Sequence, residues 1–122
     1  MRQLIAHLIG DYVVQSDWMA AAKVYGTEHD RRSAAVLHAA LYTACFIPLT
    51  RNPIRLAVIG VTHGLLDRYR PFPALIHRKN VLLSPAGWPA TPAADVPLWL
   101  RIVVDNCAHL VINEIALSVR RP

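Results

Sequence analysis

The sequence predicts an all-α protein: a compact four-helix bundle with a proline-rich irregular excursion before its last helix. Three observations predict it. Apolar residues recur at three- and four-residue spacings along four stretches. Prolines gather between positions 71 and 97 instead of interrupting those stretches. The 122 residues, 54% of them hydrophobic, suffice for one shared core and connect the stretches mostly by short links, so a single domain over 1–122 is expected.

The first helix is expected from Arg2 to about Tyr25. This stretch holds no proline, ends at Gly26, and spaces Leu4, Ile5, Leu8, Val13, Val14, Trp18 and Met19 as a buried helix would. Its opening has the basic residue and apolar run of a secretion signal. His7 and Asp11 interrupt that run and no small-residue cleavage site follows, so the N-terminus reads as part of the fold. Asp30 is expected to cap a second, alanine-rich helix through Arg31, Arg32 and the run from Ser33 to Tyr42, ending between Pro48 and Asn52. Asn52-Pro53 pairs a capping residue with proline at the first helical position, opening a third helix through Leu56, Val58, Ile59 and His63 to Arg68 or Tyr69. Leu56 to Val61 also admits a strand.

Between Arg70 and Pro97, prolines 71, 73, 85, 89, 92 and 97 with Gly87 predict irregular chain, with a short helix or extended piece at Ala74 to Leu83. Asp95 is then expected to cap the last helix, from Pro97 to about Val119, whose apolar mass is Leu98, Leu100, Ile102, Val103, Leu110, Val111, Ile115 and Leu117.

Only 17% of residues are charged and the mean hydropathy is +0.30, which excludes a disordered tail or a fibrous repeat. The net charge of +5, nearly all from arginine, favours anionic partners. Cys45 and Cys107 lie in apolar surroundings without metal-type spacing, and are expected as a buried pair of free thiols in a reducing compartment.

Three of the six histidines stand four residues from an aspartate: His7 with Asp11, His63 with Asp67, and His109 with Asp105. That spacing puts each pair on one helix face. With six aspartates in the chain, chance supplies about 0.6 such pairs. His38 lies in the remaining helix, so each helix offers at least one ligand-type residue. The stripes continue by further turns as His7, Asp11 and Gln15, as His38 and Tyr42, and as Arg101, Asp105, His109 and Asn113.

Burying an unpaired polar group costs about 1–3 kcal/mol, and aspartates converging in a small core repel one another unless a cation lies between them. A divalent metal meets that need. Imidazoles with carboxylates suit Zn, Mn, Fe or Ni, and the lack of cysteine in the stripes speaks against a thiolate zinc site. The candidate ligands are His7, Asp11, His38, His63, Asp67, Asp105 and His109. Seven residues exceed one tetrahedral shell, which implies two ions or aspartates that orient histidines. Any one pair alone would read as an ordinary helix ion pair worth about 0.2–0.5 kcal/mol.

The segments His7-Leu8-Ile9-Gly10-Asp11-Tyr12-Val13-Val14-Gln15-Ser16-Asp17-Trp18-Met19-Ala20, His38-Ala39-Ala40-Leu41-Tyr42 and Thr62-His63-Gly64-Leu65-Leu66-Asp67-Arg68-Tyr69-Arg70 resemble the bacterial and phage family called domain of unknown function 3307. The resemblance covers nearly the whole chain, supplies no activity, and implies membrane association only through hydropathy. The pattern is also similar in kind to the predicted membrane-bound metal-dependent hydrolases. More distantly, it is similar to the all-helical zinc phospholipase C and nuclease group, by site chemistry alone.

The expected function is a metal-dependent hydrolase acting on a phosphoester or another small anionic substrate. Asp67 or Asp11 is its candidate base. Arg68, Arg70, Arg78 and Lys79 are expected to form an anion-binding rim, and Gln15, Tyr42 and Asn113 to hold the ligands in place. The alternative is a non-catalytic, membrane-associated or interaction protein whose His and Asp pairs are structural. Ser33 to Thr50 carries no charge over a span near the lower limit for crossing a bilayer. The polar stripes of the other helices favour a cytoplasmic protein, or one peripheral to the inner membrane, over an integral membrane protein, which stays the alternative. A membrane surface and a second copy of the chain are further expected partners; nucleic acid is the weaker reading, since few aromatics accompany the arginines.

Overall fold

The computed structural model describes residues 1–85, 89 and 91–119. These are all-helical, with no strand among the described residues. The α-helices are α1 (Arg2–Leu8), α2 (Asp17–Tyr25), α3 (Glu28–Ala44), α4 (Pro53–Tyr69), α5 (Phe72–Leu83) and α6 (Leu98–Ser118). A π-helical turn, Ile9–Val13, follows α1, and a 3-10 turn, Ala93–Asp95, precedes α6. Gly87, part of the expected excursion, lies outside the described residues. The chain divides into two compact units, Met1–Tyr69 with the segment from His109 onward, and Arg70–Ala108.

In the first unit, the single helix expected from Arg2 to Tyr25 is broken into two. The amide of Val14 reaches back five residues to the carbonyl of Ile9, at 3.0 Å, and Ser16 is then extended. Ser16 Oγ accepts from the amide of Met19 at 3.3 Å and caps α2, with Asp17 in the first turn. Apolar spacing is blind to such a break, because a serine that bonds local backbone offers the chain an alternative to continuing the helix.

The cap of α3 is Thr27, three residues before the expected Asp30. Thr27 Oγ1 accepts from the amide of Asp30, and the Asp30 carboxylate accepts from the amide of Thr27, both at 3.2 Å, closing a reciprocal box. Asn52 Oδ1 accepts from the amide of Ile54 at 3.0 Å, so α4 starts at Pro53 as its sequence indicates, and Leu56 to Val61 is helical. Helices α3 and α4 touch where side chains are smallest: a Cβ on Gly60 would stand 2.4 Å from Thr43 Oγ1. The core is Ala6, Tyr42, Phe46, Ile59 and Ala116, flanked by Cys45, Leu49, Leu56 and Leu117.

In the second unit the expected irregular stretch contains the twelve-residue helix α5. Pro71 and Pro73 sit at its cap and in its first turn, where the missing N–H groups would have no helical partner. Asp95 ends the 3-10 turn and does not cap α6, whose first turn is closed by the Pro97 carbonyl accepting from Arg101 at 3.1 Å. The Arg101 side chain donates to the carbonyls of Val96 and Ala94, at 2.7 and 2.6 Å.

Both cysteines are free thiols, as expected, but they are not a buried pair: Cys45 is half-buried and Cys107 exposed. Cys107 lies two residues from His109, on another face of the helix. Among the described residues no helix is long and apolar enough to cross a membrane.

Candidate metal centre

Four histidines, each on a different element of the first unit, are buried there: His7 at the end of α1, His38 on α3, His63 on α4 and His109 on α6. Two carboxylates join them, each about seven-eighths buried. Asp11 comes from the π-turn and Asp67 lies one turn beyond His63. Asp11 Oδ2 is 3.4 Å from His7 Nδ1, while its Oδ1 is 3.3 Å from His38 Nε2 and 3.5 Å from His63 Nε2. Asp67 Oδ2 is 3.6 Å from Nε2 of both His38 and His63.

Neither ring nitrogen of His38 or His63 has a hydrogen-bond partner among the described residues, although all four are buried. Such groups cost free energy and need a reason. Burial, reinforced by the imidazoles of His109 and His38 and by the ammonium of Lys23, holds the His63 pKa far below the usual histidine range. The ring is therefore neutral, with a lone pair to offer. Two donors each about 2.0–2.1 Å from one tetrahedral ion lie about 3.3–3.4 Å apart. The distances from Asp11 Oδ1 to His38 and His63, 3.3 and 3.5 Å, are close to that edge. Among the described residues, two groups have ligand atoms all within 4.8 Å of one another: Asp11, His38 and His63, and His63, Asp67 and His109.

Tyr42 organises the other side. Its ring stacks on His63, with centroids 3.7 Å apart and planes 12° apart, while Asn113 Nδ2 donates to its hydroxyl at 2.6 Å. The same hydroxyl lies 2.8 Å from His7 Nδ1. These contacts fix ring orientations, as outer partners of a metal site do. Gly10, beside Asp11, permits the approach of the π-turn to Tyr42: a Cβ there would stand 2.5 Å from Tyr42 Cδ2.

Of the seven expected ligands, six converge in the first unit, and Asp105 belongs to the other. The expected anion rim is divided. Arg68 donates to Glu28 Oε1 at 2.5 Å, and Arg32 donates to the same oxygen at 2.9 Å. The Arg68 and Arg32 hydrogen bonds hold the Glu28 carboxyl below the usual range. Arg70, Arg78 and Lys79 lie in the second unit.

One residue of the cluster escapes a search built on histidine and aspartate spacing. Lys23, from α2, donates to Asp67 Oδ2 at 2.5 Å and to Gln15 Oε1 at 3.0 Å, and its side chain is only 10% exposed. A signal exists: Lys23 is one turn beyond Met19, the buried apolar anchor of α2.

A family model described as a protein of unknown function matches residues 1–118. No curated protein and no solved structure matches the chain.

Proposed function

Since the chain belongs to the DUF3307 family, whose description carries no activity, we propose from the chemistry of the site that it is a metal-dependent hydrolase acting on a phosphoester or another small anionic substrate. The supporting observation is the pair of buried, hydrogen-bond-free imidazoles of His38 and His63, whose Nε2 atoms stand 3.3 and 3.5 Å from one oxygen of Asp11. In this reading Asp11, His38 and His63 hold one divalent ion of the Zn, Mn, Fe or Ni group. One ion is preferred to two, because both triads use His63 and a neutral imidazole has a single lone pair. The frame proposed for it is a four-helix bundle of the segments carrying His7, His38, His63 and His109.

When bound, the ion would lower the pKa of a water ligand and polarise a substrate oxygen. His7 would orient Asp11 through its Oδ2, and Tyr42 and Asn113 would fix the imidazole planes. Asp67, beside the triad, would accept the proton of the attacking water. The likeness to metal-dependent hydrolases rests on site chemistry alone. Arg68 could reach an anion only by releasing Glu28.

A second reading has its own support. Val36 on α3, with Val61 and Leu65 on α4, are exposed and line one groove. They favour a non-catalytic protein that uses this face on a membrane surface or a second copy of itself. Both readings place the chain in the cytoplasm or at the periphery of the inner membrane.

The deciding experiment is elemental analysis of untagged protein together with hydrolysis of bis-p-nitrophenyl phosphate. The hydrolase reading expects one transition metal per chain and turnover, both lost in His38→Ala and His63→Ala. A metal-free, inert wild-type protein would overturn it.

A further inference from the structure

The two carboxylates of the cluster are not equivalent, because of the two only Asp67 is ion-paired with a lysine or arginine among the described residues. We infer that Lys23, by claiming Asp67, keeps the proposed metal centre open, leaving the ion three protein ligands and one position for water or substrate. The inference rests on the metal reading above.

The geometry that supports it is local. Asp67 Oδ2 stands at 3.6 Å from Nε2 of both His38 and His63, nearly the distances at which Asp11 Oδ1 stands from the same two atoms. By position that oxygen is a natural fourth ligand. It is also the oxygen on which the Lys23 ammonium sits, at 2.5 Å. A divalent ion bonded to this oxygen would face the ammonium across one atom, in surroundings that screen charge weakly. Lys23 cannot easily swing away, since its side chain is only 10% exposed and Gln15 accepts a second hydrogen bond from it. Among the described residues Asp11 has no lysine or arginine partner, and its Oδ1 is left for the ion.

The distinction matters chemically. Zinc centres with four protein ligands are closed and structural, whereas catalytic ones keep three ligands and an open position. Lys23 is thus a positioning residue acting through Asp67. Removing its charge would let Asp67 complete the shell, strengthening metal binding while expelling the water on which hydrolysis depends.

The test compares the wild-type chain with Lys23→Met, Lys23→Gln and the charge-keeping Lys23→Arg. Zn²⁺ affinity is read by competition with a chromophoric chelator, the Co²⁺ d–d spectrum reports coordination, and water-proton relaxation with Mn²⁺ reports exchangeable water. Expected are at least about tenfold tighter Zn²⁺ binding in Lys23→Met and Lys23→Gln, a Co²⁺ spectrum of a closed tetrahedral site, and loss of the exchangeable water. Lys23→Arg should stay like the wild type, and adding Asp67→Asn to Lys23→Met should restore the open spectrum. Circular dichroism identifies any variant that fails to fold, and two neutral variants guard against that outcome. Wild-type protein that binds metal while both folded neutral variants keep its spectrum and water overturns this inference alone, even if their affinity rises through charge. Wild-type protein that binds no metal overturns the metal reading and this inference together.

Discussion

Tyr42 and His63 lie face to face, ring planes 12° apart, and the hydroxyl at the far end of the tyrosine takes a hydrogen bond from Asn113. Stacking and hydrogen bonding can therefore be separated by one substitution. Tyr42→Phe keeps the ring against His63 but strands the amide of the buried Asn113. A loss of about 1–3 kcal/mol is expected, with weaker metal binding, because the same hydroxyl also meets His7. Chemical denaturation and elemental analysis of the same preparation check both halves.

Metal removal should destabilise the chain. An ion that binds only the folded state adds about 2.7 kcal/mol when present at a hundred times its dissociation constant. Dialysis against a chelator should lower the melting temperature, and stoichiometric Zn²⁺ should restore it. His63→Ala should show the same melting temperature with and without chelator.

Gly10→Ala tests the approach of the π-turn to the core. The added methyl would stand 2.5 Å from a Tyr42 ring carbon, so one of the two must shift. The expected cost is about 1–3 kcal/mol. Because Asp11 is the next residue, weaker metal binding should accompany the lower melting temperature.

The box at the start of α3 gives a prediction remote from the cluster. Thr27→Ala should cost about 0.5–2 kcal/mol without changing metal content. Its pH dependence has a definite sign. Hydrogen bonds from the Thr27 side chain, then from its backbone, hold the Asp30 pKa below its ordinary 3.8 in the folded chain. The unfolded chain therefore takes up the proton first as pH falls, and the contribution is present above about pH 3.8 and lost progressively below it. Acid unfolding of Thr27→Ala should lose the larger, side-chain part of that dependence and keep the part due to the backbone amide, which parallel acid titrations would show.

Much of this was legible in the sequence where one residue's chemistry decides the outcome. Asn52-Pro53 opens α4 as its cap and ring geometry require, and the four-residue spacings place His7, Asp11, His63 and Asp67 in one cluster. The failures have a common physical source, because periodicity reports which face is apolar but not where backbone bonds change partner. The break at Ser16, the cap at Thr27 and the start of α5 at Phe72, before the expected Ala74, all turn on which backbone groups need partners at helix ends. Lys23 was hidden for another reason: a lysine pairs with whatever its long stem reaches, and its partner Asp67 is 44 positions away. Asp105 obeys the four-residue rule with His109 on α6, and the boundary between the two units falls between them.

The π-turn at Ile9–Val13 has a consequence for how this chain can vary. Successive residues on a helix are rotated by about 100°, so an extra residue held in one wide turn resets the bearing of whatever precedes or follows it. Surface connections tolerate gains and losses of length. Here a one-residue deletion, even of an exposed side chain such as Val13, would re-index Asp11 against His38 and His63. Length is then under constraint between Leu8 and Val14 in addition to Gly10 and Asp11, and relatives that keep the cluster should admit neither insertions nor deletions in that interval.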